Sequence, residues 1–301
     1  MRLFLIFILT ISNFYLSGQS STDTIIGDIK HALQSKHISA LNDYIEAEQH
    51  HNFIRWKTLR DIVGNRQEGV LIIEIAREPD STGNMDNFSI KLLADKGRIF
   101  FYEFTKWTYK RKDSEDYESY AIIVDSYKDS ASYQQMKDLF TETYHSPIDT
   151  TDLFQTSIVY GSSCGIGGTP TEYQKKLSSI THHKDLSTLS SWLRSPNIEK
   201  QFYAIQGLKT MEKSGYQLTD EDNRIIKAIS QKKGLINTCS GCIYSADSIK
   251  NVMAEITPYL FPSNKQNNNI WLNYGLTTIF LIVLLVLFYK NYKRNIDGVQ
   301  N

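Results

Sequence analysis

Excess charge, cysteine, proline and glycine are all scarce in this sequence, and each scarcity excludes a class of protein. The 33 Lys and Arg residues equal the 33 Asp and Glu residues, so no basic surface is expected for a nucleic-acid partner. Three cysteines are too few for a disulfide-built scaffold, and 16 glycines with 6 prolines do not suit a collagen-like or low-complexity chain. At roughly 150 residues per domain, the 301 residues predict about two domains.

The N-terminus has the layout of a secretory signal peptide. Arg2 precedes a largely apolar run from Leu3 to Leu16, which small and polar residues follow. As a helix this run would span about 21 Å, short of a hydrocarbon core of about 30 Å. We therefore expect residues 1–18 to be a signal peptide, with cleavage after Ser20 or an uncleaved anchor as alternatives.

A second apolar segment lies near the C-terminus and is long enough to cross a bilayer. The 19 residues from Trp271 to Tyr289 carry no charge, and as a helix they would span about 28 Å. Aromatic residues at both ends suit the interfacial belts of a membrane helix. The segment predicts a transmembrane helix marked by Trp271, Leu272, Ile279, Leu285 and Tyr289.

Positive charge sets the orientation of this predicted span. Three positive residues follow it directly: Lys290, Lys293 and Arg294. Because positive residues stay on the cytoplasmic side, residues 290–301 should form a cytoplasmic tail and residues 261–270 a polar stalk on the other side. The signal peptide independently sends the preceding chain outward. Both patterns predict a single-pass membrane protein that contacts lipid through one helix, with its bulk periplasmic or extracellular.

Residues 19–165 predict an exported α+β domain. Apolar residues recur at helical spacing from Asp23 to Ile45, with a break near Lys36–Ser39. Strand-like segments follow at Val70–Ala76, Phe88–Leu93, Arg98–Tyr109, Tyr120–Asp125 and Leu153–Tyr160. Residues 94–97 suit a hairpin turn, residues 111–119 a loop and residues 132–144 a helix, so we expect a mostly antiparallel sheet.

Residues 166–260 predict a small helical domain. Apolar stripes indicate helices at residues 186–193 and 198–213, and Thr219 with Asp222 is a capping-box-like start of another. A last helix is expected over Ala246–Ile256. The pair from Leu186 to Lys213, with small and apolar positions at Ala204 and Leu208, resembles a HEAT-type helical hairpin.

The cysteines carry the clearest chemical signature. Cys239 and Cys242 form a C-x-x-C motif, and Cys164 lies in a glycine-rich segment at 161–168. In an exported protein they predict a structural disulfide. We favour Cys164 with Cys239 or Cys242, because glycines permit close backbone approach and a loop of about 75 residues is strongly constrained by closure. A local bond between Cys239 and Cys242 is the alternative, and one thiol is left over.

Other chemistries of these cysteines have weaker support. Haem attachment is excluded because Ile243 rather than His follows the motif. Zinc would need a further ligand from His182 or His183, and a thioredoxin-like site would need a strand before the motif, where we expect a helix. Cys164 is a weak candidate nucleophile, with His145, His182 or His183 as its base. We expect no metal site and no cofactor.

A non-enzymatic binding or assembly role at the cell envelope is the function that we expect. It predicts an exposed apolar or aromatic patch that meets a protein partner at the outer face. The alternative is a thiol-dependent enzyme, redox or hydrolytic, centred on Cys164 and on Cys239 or Cys242. A third hypothesis, a small-molecule or glycan sensor, predicts a deep apolar pocket.

Overall fold

The structure is a computed structural model, and it describes residues 22–48, 53–76, 85–111, 117–165 and 167–257. Described residues up to Ile256 belong to one compact unit. In chain order the elements are α1 (Thr22–Gln34), α2 (Ile38–Glu48), β1 (Phe53–Val63), β2 (Arg66–Ala76), β3 (Met85–Asp95), β4 (Arg98–Arg111), β5 (Tyr117–Lys128), α3 (Ser130–Tyr144), α4 (Glu172–His183), α5 (Leu186–Leu193), α6 (Ile198–Lys213), α7 (Asp220–Ser230), β6 (Leu235–Ser240), β7 (Ile243–Ser248) and α8 (Ile249–Ile256). This is a mixed α+β fold, as the sequence predicts.

Helices α1 and α2 form a pair because each carries one apolar stripe. In α1 the buried residues Ile25, Ile29 and Leu33 follow helical spacing. The chain then turns at Lys36, whose φ of 56° lies in the left-handed region, and α2 begins at Ile38. The predicted helical stretch with a break at this place is confirmed.

Strands β1 to β5 form an antiparallel sheet in chain order. Lys96 and Gly97 join β3 to β4 with φ values of 49° and 82°, which suit the twist of a two-residue hairpin. The predicted strands at 70–76, 88–93, 98–109 and 120–125 lie within β2 to β5. Strands β4 and β5 continue into the segment that was expected to be a loop, and β1 was not predicted.

One face of the sheet, the α1–α2 face, is buried by apolar side chains. The sheet contributes Leu71, Ile73, Phe88, Ile90, Leu92 and Phe104, and the helices contribute Ile29, Leu33 and Leu41. All of these side chains are at most 1% exposed. The main hydrophobic core of the sheet therefore lies between it and the N-terminal helix pair.

The opposite face of the sheet contacts residues that follow β5 in the chain, and these contacts lie near the β1–β2 and β3–β4 turns. The Phe101 ring lies 6.1 Å from Tyr133 of α3 and 5.9 Å from Phe154, measured between ring centroids. Arg60 of β1 meets Glu199 of α6.

The predicted helices after residue 185 are present. Helices α5 and α6 pack closely because Gly207 has no side chain, and a Cβ there would lie 2.6 Å from a Leu189 methyl group. Helix α7 begins with the predicted capping box, in which Thr219 and Asp222 each bond to the other's backbone N–H. The prediction of two packed helices between Leu186 and Lys213 is therefore confirmed.

Two predicted elements are wrong. Leu153–Tyr160 is not a strand, because Phe154 has a left-handed φ of 61°, and Tyr160 makes an isolated parallel bridge with Thr238. The helix predicted over Ala246–Ile256 begins later, at Ile249, since residues up to Ser248 pair with β6 as strand β7. The C-x-x-C motif thus lies on a β-hairpin.

The predicted signal peptide at 1–18, stalk at 261–270, transmembrane helix at 271–289 and cytoplasmic tail at 290–301 all lie outside the described residues. Among the residues that are described, no helix combines the length and the apolar character needed to cross a bilayer. The membrane topology and the domain boundary at 165 stay predictions.

Candidate functional site

Apolar side chains gather at the other end of the opposite face. We call Phe53, Met85, Trp107, Tyr109 and Ile123 the sheet patch, and each is at least 37% exposed. Phe53, Glu74, Asn87 and Trp107 pair in one row across four strands, so their side chains share a face. Met85 and Tyr109 lie two residues from this row, and Ile123 pairs with Thr105 in the next row.

Hydrogen bonds to buried residues fix the orientation of the Trp107 side chain. Its indole Nε1–H donates to Ser89 Oγ at 2.9 Å, and Ser89 Oγ lies 2.9 Å from Thr105 Oγ1. Both hydroxyl-bearing residues are buried. The polar edge of the indole is therefore satisfied internally, and its exposed ring surface is left in a fixed position, which lowers the entropy cost of a contact made there.

Strand β5 is an edge of the sheet and is exposed on both sides. It pairs with β4, and within the described part of the chain no strand pairs with its outer side. Ile123 is 61% exposed on the sheet-patch face, while Tyr120 and Ile122 are 45% and 48% exposed on the other. An outer edge of this kind presents backbone N–H and C=O groups to any added strand.

The β1 edge differs, because another segment occupies part of it. The backbone N–H of Asp61 donates to Lys233 O at 2.9 Å, and Lys233 N–H donates to the Asp61 carboxylate at 2.8 Å. Gly234 lies against Arg60, where a Cβ would be 2.5 Å from backbone atoms. The close approach explains why a residue with no side chain stands at this position.

The β6–β7 hairpin is tied to residues 160–165 by covalent and backbone bonds. Cys164 and Cys239 form a disulfide with a Cα–Cα separation of 5.6 Å, as one of the predicted pairings had it. Tyr160 and Gly161 run beside β6: Cys239 N–H donates to Tyr160 O at 3.0 Å, and a Cβ on Gly161 would lie 2.2 Å from Cys239 O. The expectation that glycines near Cys164 permit close approach is confirmed.

The tip of this hairpin is solvent-exposed. Cys242 is a free and exposed thiol, and Ile243 and Tyr244 are 70% and 65% exposed. Two grooves of about 380 and 270 Å³ flank the hairpin, and Tyr244 lines both. Cys164 and the α4 residues Glu172 and Tyr173 line the larger groove.

The residues predicted for nucleophilic catalysis do not come together as a reactive set. Cys164 is oxidised in the disulfide and so has no thiolate to offer in this state. His183 Nδ1 lies 2.8 Å from Ser179 O of its own helix, and His145 lies 3.1 Å from the Glu221 carboxylate. Within the described ranges, no three or more His, Cys, Asp or Glu side chains gather in a way that could hold a metal.

Sequence reasoning missed a buried cluster of charged residues between the sheet and α6. Arg60 Nε donates to Glu68 at 2.7 Å and Arg60 Nη1 donates to Glu199 at 2.6 Å, and all three side chains are at most 1% exposed. Burial lowers the pKa of Arg60, but Glu199 and Glu68 outweigh that effect and hold its pKa above the ordinary value. Asn237 donates to Glu199 through its backbone and side chain, at 3.0 and 3.2 Å.

The cluster links four segments of the chain. Its members come from β1, β2, α6 and β6, and the backbone N–H of Phe154 also donates to Glu68, at 2.8 Å. Arg60 Nη2 and Glu199 Oε2 lack a hydrogen-bond partner in the part of the chain that the structure describes. One feature of the sequence could have located the cluster. Arg60 and Glu68 have opposite charges and lie on either side of the Gly64–Asn65 turn, so pairing of the two flanking strands places them opposite each other.

Lys232 lies beside this cluster and is also buried. Its Nζ donates to Gln201 Oε1 at 2.8 Å and lies 5.4 Å from the centre of the Tyr144 ring. Burial, and after it the charge of Arg60, lower the pKa of Lys232 to about 7, while Glu68 and Asp61 offset part of the shift. A cavity of about 360 Å³ adjoins Lys232, Tyr144 and the β1–β2 turn.

No protein-family model, curated protein or solved structure matches this chain.

Proposed function

We propose that this chain is an exported, membrane-anchored protein that binds a protein partner through β5 and the adjacent sheet patch. The observation that carries the proposal is the edge position of β5 together with the exposure of Ile122 and Ile123 on its two sides. Solvent-exposed edge strands are usually short, charged or covered, because they otherwise recruit other strands. Strand β5 is twelve residues long, and among the described residues no strand pairs with its outer side. It carries no charged residue between Glu118 and Asp125.

The chemistry of the partner follows from this surface. An extended segment added at β5 would satisfy backbone N–H and C=O groups and would place alternate side chains against Ile123 on one face and Ile122 on the other. Apolar side chains on such a segment would also cover the fixed indole of Trp107. The partner is therefore a protein with an extended apolar segment at the outer side of the membrane.

The membrane anchor in this proposal depends on the sequence patterns at the two ends of the chain. The uncharged segment from Trp271 to Tyr289 and the positive residues after it support a single span with the bulk of the chain outside.

Site-specific photo-crosslinking in the cells that make the protein tests the binding role. The full chain carries a photoreactive phenylalanine analogue at Ile123, or at the exposed Thr210 of α6 as the reference position. We expect an adduct in the membrane fraction from Ile123 and none from Thr210. Ile122→Lys should lower the yield by about tenfold, the effect of losing about 1.4 kcal/mol of binding. Ile243→Lys, the same change on the exposed β7, should leave the yield unchanged.

Three results would overturn this proposal. No adduct at Ile123 would remove the binding site, and equal adducts at Ile123 and Thr210 would show nonspecific contact. An adduct of twice the mass of this chain, made from two copies, would replace the separate partner by self-association.

A further inference from the structure

The three cysteines of this chain are close neighbours in the fold. Cys239 is in a disulfide with Cys164, and Cys242 follows it by three residues at the turn between β6 and β7. The Cys239 sulfur lies 3.5 Å from Gly241 O, the carbonyl oxygen of the peptide group that begins Cys242. The free, exposed thiol of Cys242 therefore belongs to a residue whose backbone begins beside the Cys239 sulfur of the disulfide.

We propose that Cys242 exchanges with this disulfide, which makes the Cys164–Cys239 bond reversible without any external redox partner. The Cys242 thiolate attacks Sγ of Cys239, the Cys239–Cys242 bond forms, and Cys164 leaves as a thiolate. One S–S bond breaks and one forms. The proton that leaves Cys242 for solvent is replaced by one taken up at Cys164, so no oxidant or reductant is consumed.

The surrounding structure determines which bond predominates. Gly241 N–H donates to Ser163 O at 3.1 Å, and Gly165 N–H donates to Gly241 O at 2.7 Å, so the turn itself is bonded to the segment that holds Cys164. Ser240 also pairs with Ile243 to close the hairpin. The exchanged form therefore requires the turn to open, and the long-range bond remains the major one in the closed hairpin.

The exchange changes what the surface offers. A link across 75 residues is replaced by a link across three, so the covalent tie between the hairpin and residues 160–165 is lost. Cys164 then carries a free thiol in the wall of the groove of about 380 Å³, beside Thr171, Tyr173 and Tyr244. In this form the Cys164 thiolate reacts with a thiol-reactive group that enters the groove, for example the disulfide of another molecule.

Disulfide mapping of the full-length protein tests the exchange. Trypsin places Cys164 in peptide 138–175 and both Cys239 and Cys242 in peptide 234–250. The protein is held without reductant at about pH 8.5, where thiols exchange, and samples are quenched with an alkylating reagent over time. At the start we expect the two peptides linked and Cys242 alkylated. With time we expect a minor fraction of the protein to carry alkylated Cys164 together with an internal disulfide in peptide 234–250.

Two comparisons complete the test. Cys242→Ser should lower the alkylation of Cys164 by about tenfold or more, because the attacking thiol is absent. A dilution of about tenfold should leave the rate unchanged, as an intramolecular reaction requires. Cys164 that never labels while Cys242 labels fully, or a rate proportional to protein concentration, would overturn the proposal.

A second variant asks whether the short bond can close. Cys164→Ser leaves Cys239 and Cys242 as two thiols, and oxidised glutathione supplies the oxidant. Formation of the internal disulfide in peptide 234–250 is the expected result. Glutathione adducts on the separate cysteines with no internal disulfide would overturn the proposal.

Discussion

The face of the sheet under α1 and α2 is buried by apolar side chains, whereas the opposite face meets α6 and β6 through charged ones. Ile29 and Leu33 are fully buried against the first face. Arg60, Glu68 and Glu199 are as completely buried on the second, but each needs its partner in place. An apolar contact loses stability in proportion to the atoms removed, while a buried ion cluster loses it when any single charge becomes unpaired.

Glu199→Ala should have the largest effect on this comparison. The change leaves Arg60 with one of its two carboxylates and leaves both Asn237 donors without their acceptor. Three buried donors, Arg60 Nη1 and the two of Asn237, lose their acceptor, so we expect the free energy of unfolding to fall by about 3–5 kcal/mol. Urea titration of the wild type and the variant measures the difference.

A triple replacement separates the cost of an incomplete cluster from the stability that the complete cluster contributes. Arg60→Met, Glu68→Leu and Glu199→Leu together remove every charge of the three-residue set and keep similar volumes. This variant removes the buried charges but leaves the Asn237 donors and the backbone N–H of Phe154 without their acceptors, so it should recover only part of the stability that Glu199→Ala loses. A triple variant no more stable than Glu199→Ala would show that the cluster itself, rather than its completeness, stabilises the second face.

Leu33→Ala tests the apolar face with a smaller expected effect. The side chain is fully buried in the core between α1 and the sheet. Loss of its methyl groups should lower the free energy of unfolding by about 2–4 kcal/mol through transfer and cavity costs. Because this face carries no buried charge cluster, the loss should be the same at pH 6 and pH 8, and a clear pH dependence would contradict the contrast between the faces.

Lys232→Met should have the smallest effect at neutral pH, and of opposite sign. In the unfolded chain Lys232 has its ordinary pKa of 10.5, and in the folded protein its pKa is about 7. Between these pH values the unfolded state holds a proton that the folded state has lost. The free energy of unfolding therefore increases steadily as the pH rises from about 7 towards 10.5. The variant should be about 1 kcal/mol more stable at pH 7. Urea titrations from pH 7 to 9 should show a flatter slope, and an unchanged slope would contradict the shifted pKa.

The sequence predicted the apolar face well, because its side chains follow simple periods. Helical spacing in α1 and α2 and the β-branched content of β2 located the elements that bury Ile29 and Ile73. The hairpin at Lys96–Gly97 and the capping box at Thr219 depend on neighbouring residues alone, so local sequence was sufficient.

The second face could not be predicted in the same way, because its stabilising contacts join residues far apart in the chain. Strand β1 was missed since Arg55, Lys57, Arg60 and Asp61 give it a polar composition, and Arg60 is buried through Glu199, 139 residues away. The β6–β7 hairpin was missed because its short strands lie between helical patterns and are held by Tyr160 and Cys164. The Cys164–Cys239 disulfide was among the pairings predicted, because closure of a long loop and flanking glycines both favoured it.

The occupation of the β1 edge by Lys233 and Gly234 has a consequence for the growth of the sheet. A sheet with two open borders can be extended from both, and repeated addition leads to filaments. At the Asp61 end of β1 that border is already occupied, whereas β5 has no strand on its outer side among the described residues, so growth outward from β5 is favoured over growth from β1.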